Sequence, residues 1–157
     1  MIVGTDTYVT REEADEYVRT HYRHEAPPRN TWENMNPQGG RDVLLTAACL
    51  ELETLAWQGR AVSAEQTLAF PRSSHAGDVP QSIKYAQIEL ALWMADDKSQ
   101  AARKKRAELR LGGVTSYSIG DLSESYGDGA AVLPAPLSSP RCAALIRRYL
   151  SGGYAVY

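Results

Sequence analysis

Apolar residues recur at helical spacing in four stretches of the chain. Ala14, Tyr17, Val18 and Tyr22 fall on one stripe, while Arg11, Glu12, Asp15, Glu16 and Arg19 fall outside it, so the first helix packs on one face only. Thr10-Arg11-Glu12-Glu13 in front of it has the form of a capping box and sets its start. Leu44, Ala47, Ala48, Leu52 and Leu55 mark a second helix, with Asp42 as its expected N-cap. Ile83, Ala86, Leu90 and Met94, with Leu92 and Trp93 beside them, mark a third, with Pro80 at its first turn. It is the most apolar of the four and is expected at the centre. Leu145, Ile146, Tyr149 and Leu150 mark the last, which Ser139 caps, Pro140 opens and Gly152-Gly153 stop.

The intervening segments read differently from one another. Pro27 and Pro28 end the first helix, and residues 25–40, rich in Pro, Asn, Gly and Arg, read as a connector long enough to be functional or mobile. Trp32 anchors that connector on the core or serves as an exposed partner contact. A bent loop joins the second and third helices, through Trp57-Gln58-Gly59-Arg60 and Leu68-Ala69-Phe70-Pro71-Arg72. Gly59 permits a positive φ, Pro71 holds Phe70 extended, and Trp57 and Phe70 are the expected anchors into the core.

After Met94 the composition turns basic, with Lys98, Arg103, Lys104, Lys105, Arg106 and Arg110. A single helix from Pro80 to Leu111 would be about 48 Å long, so a break near residues 96–99 is expected. Tyr117 and Ile119, then Leu122, Glu124 and Tyr126, alternate around Gly120-Asp121, which predicts a short β-hairpin near 115–127. Residues 128–136 read as a Gly/Ala/Pro linker. The expected fold is mainly α: a small bundle of about four to five helices in one domain, residues 1–150, with the hairpin and an extended C-terminal tail, residues 151–157.

A chain of 157 residues, 43% hydrophobic and 23% charged, can bury a core without a disulfide or structural metal. Its net charge of −2 excludes a globally basic nucleic-acid binder, so any DNA contact is local. The first residues lack the pattern of a secretory leader and no run suggests a membrane span, which places the protein in a cytoplasm. Cys49 and Cys142 are expected as buried free thiols.

Candidate chemistry is sparse. His21 and His24 lack completing ligands, Ser73-Ser74-His75 lacks a nucleophile elbow, and Asp96-Asp97 alone make no cation loop. No phosphate-binding, dinucleotide or zinc motif is present. The expectation is a binding protein with no catalytic residue, metal or cofactor. Arg103, Lys104, Lys105 and Arg106 form the one charge feature of note: a solvated helix face, a salt-bridge set for an acidic neighbour, or a phosphate contact. Residues 95–113 contain no aromatic for bases to stack on, which argues against single-strand binding there.

Tyr8-Val9-Thr10 before an acidic helix, an alanine-rich helix ending in Trp57-Gln58-Gly59, then Leu68-Ala69-Phe70-Pro71-Arg72, Val79-Pro80 and Ile83-Lys84-Tyr85-Ala86, recur in this order in one phage family. Over roughly residues 5–150 the chain resembles the head-tail connector proteins (adaptors, or head-completion proteins) of long-tailed bacteriophages, a family often labelled DnaT-like single-stranded-DNA-binding. The resemblance implies a homo-oligomeric ring of about twelve copies in the virion neck. Its partners would be the portal protein, the next neck or tail-terminator ring, and the packaged double-stranded DNA passing through the channel. It also implies that the C-terminal segment, here Tyr149, Tyr154, Val156 and Tyr157, engages the portal. The label itself implies the alternative, a single-stranded-DNA-binding replication accessory protein.

Overall fold

The computed structural model of the chain describes residues 1–75, 77–111, 116–119, 122–125 and 133–152. Among these are seven α-helices: α1 (Arg11–His21), α2 (Pro27–Glu33), α3 (Asp42–Glu53), α4 (Gln81–Met94), α5 (Asp97–Leu111), α6 (Ala135–Ser138) and α7 (Pro140–Ile146). Two four-residue strands, β1 (Ser116–Ile119) and β2 (Leu122–Ser125), pair antiparallel from Ser116 with Ser125 to Ile119 with Leu122. The expected Gly120-Asp121 turn and Tyr126 lie outside the described residues. The fold is mainly helical, as the apolar periodicity implies. No helix among the described residues is long and apolar enough to cross a membrane.

The capping box at α1 is complete. The Glu13 amide donates to Thr10 Oγ1 at 3.0 Å and the Thr10 amide to Glu13 Oε2 at 2.7 Å, which satisfies two amides that the helix cannot. Lys84 Nζ reaches the same carboxylate at 3.1 Å. Despite some desolvation, the Thr10 amide and Lys84 hold the Glu13 carboxyl below its ordinary range.

Several local expectations are corrected. The connector at residues 25–40 is largely helical: Pro27 and Pro28 open α2, because the first turn of a helix needs no amide donors. Trp32 is buried and donates its indole N–H to Asp15 Oδ1 at 2.7 Å, so it anchors that segment on the core. Asp42 is the first residue of α3 instead of its cap, since a five-residue π turn, Pro37–Arg41, leads straight into the helix. Its carboxylate pairs with Arg11 at 3.3 Å. The buried face of α3 is Leu45, Ala48, Cys49 and Leu52, with Leu44 only packed against the core's edge. Leu44 and Leu45 are adjacent apolar neighbours, as are Ala47 and Ala48, so the pattern fits two rotations of the helix. The supposed linker at 128–136 ends in a helical turn, α6, with Ala135 and Leu137 buried.

α4 is the central element, packed chiefly against α7 and α3. Its residues Ala86 to Leu92 are all buried, including two polar ones. Gln87 is fully satisfied: its Oε1 accepts from the Tyr8 amide at 2.9 Å, and its Nε2 donates to Thr7 Oγ1 and the Leu45 carbonyl, both at 2.7 Å. One amide side chain thus ties the N-terminal segment, α3 and α4 together. The expected break after α4 is present, since Asp96 accepts from the Ser99 amide at 3.1 Å and so caps α5.

The loop between α3 and α4 is knit by side chains. Arg72 donates to the carbonyls of Gln58, Ala69, Trp57 and Gly59, and Gln66 spans the loop through Val62, Ser63, Leu68 and Pro71. Gly59 has φ 77, and a Cβ there would meet Ser74 Oγ at 2.7 Å. Phe70 packs edge-on against Tyr8, Trp57 and Tyr149, and the Phe70–Pro71 bond is cis. The loop is fastened to the C-terminal segment by the Gln58 amide on the Tyr149 carbonyl and the Ser151 amide on the Ala56 carbonyl, at 2.8 and 2.9 Å. Cys49 and Cys142 are free and buried, and burial pushes the Cys49 thiol up to about 12 and the Cys142 thiol higher still.

The Trp57 indole N–H is buried without a partner among the described residues. Trp57→Phe keeps most of the ring and removes that unpaired donor, so it is expected to cost less than about 1.5 kcal/mol. Trp57→Ala is expected to cost about 3–5 kcal/mol in urea unfolding, because it empties the anchor site. Equal losses would contradict the packing role assigned to the ring.

Candidate binding site

A carboxylate buried in the central helix demands partners, and Glu89 of α4, 4% exposed, has three. Tyr17 OH donates to its Oε1 at 2.7 Å, Tyr22 OH to its Oε2 at 2.6 Å, and Arg141 Nη1 to Oε1 at 3.1 Å. Arg141 Nη1 also donates to Tyr22 OH at 2.9 Å, and its guanidinium lies 4.9 Å from the Tyr22 ring centroid. The cluster joins α1, α4 and the start of α7. Burial first, and then the adjacent Glu89 carboxylate, push both tyrosine hydroxyls well above their ordinary range. Although partial burial opposes it, the bond to Glu89 raises the Arg141 guanidinium further.

Beside this cluster opens a cleft of about 500 Å³. Tyr22, Pro27, Pro28 and Thr31 line it from the end of α1 and from α2, and Glu89, Leu92 and Trp93 from α4. Asp96 and Ser99 sit at the α4–α5 junction, and Ser139, Pro140 and Arg141 close the far side. Its lining mixes apolar side chains with polar and charged ones. Sequence periodicity missed this site. The signal was there in a glutamate inside Ile88-Glu89-Leu90-Ala91-Leu92, which a buried helix cannot carry without compensation.

The residues singled out from sequence scatter. Trp57, Gly59, Phe70 and Pro71 come together as the structural loop described above. Lys104 and Lys105 are exposed on α5, whereas Arg103 is half-buried, with its Nε enclosed and unpartnered among the described residues. Arg106 lies in α5 and its side chain is outside the described residues. Tyr149 is 4% exposed, packed on Phe70 and His75 with Arg148 over its ring, so its ring belongs to the core and is not available as a partner contact. Tyr154, Val156 and Tyr157 lie outside the described residues. Ser74 Oγ does meet His75 Nδ1 at 2.8 Å, on an exposed turn where the imidazole leans on Tyr149. His21 stacks on Tyr17. No group of three metal-ligating side chains converges among the described residues.

A family model described as "Putative DnaT-like ssDNA binding protein" matches residues 1–157. The chain belongs to that family. No curated protein and no solved structure matches it.

The tyrosine cluster has a pH signature. Tyr8, Tyr17 and Tyr22 hold their protons more tightly in the folded chain than the ordinary value of about 10 for an unfolded tyrosine. Their contribution to stability is therefore complete below pH about 10 and declines as pH rises beyond it, where the unfolded chain alone ionises. The thermal midpoint should fall along that limb, and Tyr17→Phe with Tyr22→Phe should make it shallower. An identical limb in the double variant would contradict the assignment.

Proposed function

We propose that the chain is a head-tail connector subunit of a tailed bacteriophage, made in the host cytoplasm and working in the neck of the virion. It assembles as a ring of about twelve copies below the portal, extends the DNA channel and links the DNA-filled head to the tail. Its mechanism is binding without turnover.

The observation that carries this reading is the two-sided character of α3. One face closes the core through Leu45, Ala48, Cys49 and Leu52. The other presents Val43 and Leu50, 58% and 63% exposed, two turns apart on the same side, with Ala47 between them. A helix apolar on both faces is stable when both are covered, and a cation-free apolar strip suits a protein neighbour better than a phosphate backbone. The exposed Met1, Ile2 and Val3 add further apolar surface. Repeated about a ring axis, the exposed lysines of α5 become a charged band facing the DNA channel or an acidic neighbour. The hairpin contacts the adjacent subunit or layer, and Tyr154, Val156 and Tyr157 engage the portal. The order of motifs shared with connector proteins supports the same reading.

A second reading, a single-stranded-DNA-binding accessory of replication, is favoured by the family description and by the cleft at Tyr22, Trp93 and Arg141. The two separate cleanly. Heads and tails that accumulate without the gene should join when purified full-length protein is added back, measured as infectious particles. A chain lacking residues 152–157 should restore few or none. Normal joining without the protein would end the connector reading and leave the second.

A further inference from the structure

We infer that α3 of one copy packs on α5 of the next, so that an acidic, apolar helix face meets a basic, alanine-bearing one. The inference rests on the connector reading and names the two surfaces through which its copies join.

α3 supplies half of such a contact. Val43, Ala47 and Leu50 make its outer stripe, at spacings of four and three residues, and Thr54 at the helix end continues it. The helix carries Asp42, Glu51 and Glu53 and no lysine or arginine. Asp42 is spent on Arg11, and Glu53 on the Tyr8 hydroxyl and the Ala69 amide. Glu51, half-buried next to Leu50, has no side-chain partner among the described residues. The face therefore suits an apolar partner that also brings a cation.

α5 has that character. It carries six lysines and arginines against two carboxylates. Ser99, Gln100 and Arg103 are half-buried, and the Gln100 side chain donates to the Trp93 carbonyl at 3.0 Å, which fixes the inward side of the helix. Lys98, Ala101, Ala102 and Lys104 are exposed on the other side. A phosphate backbone gains nothing from two alanines, whereas alanines admit the side chains of a second helix and let the two axes approach to about 8 Å. Val43 and Leu50 supply those side chains, and Lys98 and Lys104 supply the cation for Glu51. At roughly 18 and 22 Å, α3 and α5 are long enough to lie along one another.

The two faces lie on opposite sides of one chain. Gln87 of α4 reaches α3 through the Leu45 carbonyl, whereas Glu89, two residues and about 200° further round the helix, lines the cleft at whose rim α5 begins. α3 and α5 thus flank α4 on opposite sides, and the outer face of α3 points away from it. Neighbours in a ring of about twelve are rotated by only about 30°, which requires contact surfaces on nearly opposite sides of each copy. Such a contact is heterologous: each copy gives α3 to one neighbour and α5 to the other.

The test adds purified full-length protein to heads that lack it and measures restored infectivity. Glu51→Lys alone, and Lys98→Glu with Lys104→Glu alone, should each lower it by about tenfold or more, because like charges then face each other. An equimolar mixture of the two variants should recover it, since every junction between unlike variants pairs opposite charges. A second measurement places Val43→Cys and Ala102→Cys in one chain and adds a short bis-maleimide, to head-bound protein and to concentrated free protein. Cys49 and Cys142 are buried and stay silent. Covalent oligomers longer than dimers are expected, and only from the chain with both new cysteines. Charge variants as active as wild type, a mixture no better than either variant, dimers from Val43→Cys alone, or links from position 43 to a different neck protein each overturn the contact. If wild-type protein joins heads to tails while these tests fail, the connector reading stands without this contact. A ladder from protein that leaves heads unjoined keeps the contact and ends the connector reading.

Discussion

The burial of one carboxylate, Glu89, constrains the arrangement of the helices more than any other single feature. α4 fills the centre because it is apolar on nearly every side, and a charge in that position is tolerable only when several donors reach it. Tyr17 and Tyr22 arrive from α1 and Arg141 from the first turn of α7, so satisfying Glu89 fixes where both helices lie against the central one. Gln87, two residues earlier, does the same for the N-terminal segment and α3. Hydrophobic burial makes the core compact; these two polar groups decide which compact arrangement is the satisfied one.

The same device leaves the cleft open. Arg141 is drawn inward by Glu89 with one nitrogen while most of its side chain stays in solvent, and Pro140 and Ser139 come with it. The proline pair that opens α2 forms the opposite wall. A structural requirement of the core therefore places an arginine, a tyrosine and a tryptophan around one space, at the point where the basic helix begins.

Periodicity made the helices legible; the capping box placed the start of α1 and Pro140 that of α7, where Ser139 stands at the expected cap position but makes no side-chain capping bond. Trp57, Gly59, Phe70 and Pro71 were legible because a bend between two apolar helices needs a glycine, a proline and anchors. Other features were hidden for definite reasons. Pro27-Pro28 is compatible with both a connector and a helix start, and only the docking of Trp32 on Asp15 favours the helix. The rotation of α3 was ambiguous because Leu44 and Leu45 are interchangeable to a period of 3.6, whereas the partners of Leu45 across the core are not. The cleft could not be read at all, since its lining comes from residues 22 to 141 and no local spacing brings them together. Tyr149 looked like part of a tail contact because it lies near the C-terminal segment, yet the loop at Gln58 binds its backbone and closes the core over its ring.

The proposed connector role requires the outer face of α3 to be covered by another polypeptide in the assembled particle. A photo-crosslinking amino acid placed at Leu50, in particles assembled and infectious with that variant, tests it most directly. Irradiation should link the chain to a second copy of itself or to a neighbouring neck protein at position 50, and far less at the exposed Arg60 in the loop. Uniformly low crosslinking at position 50 in such particles would contradict it.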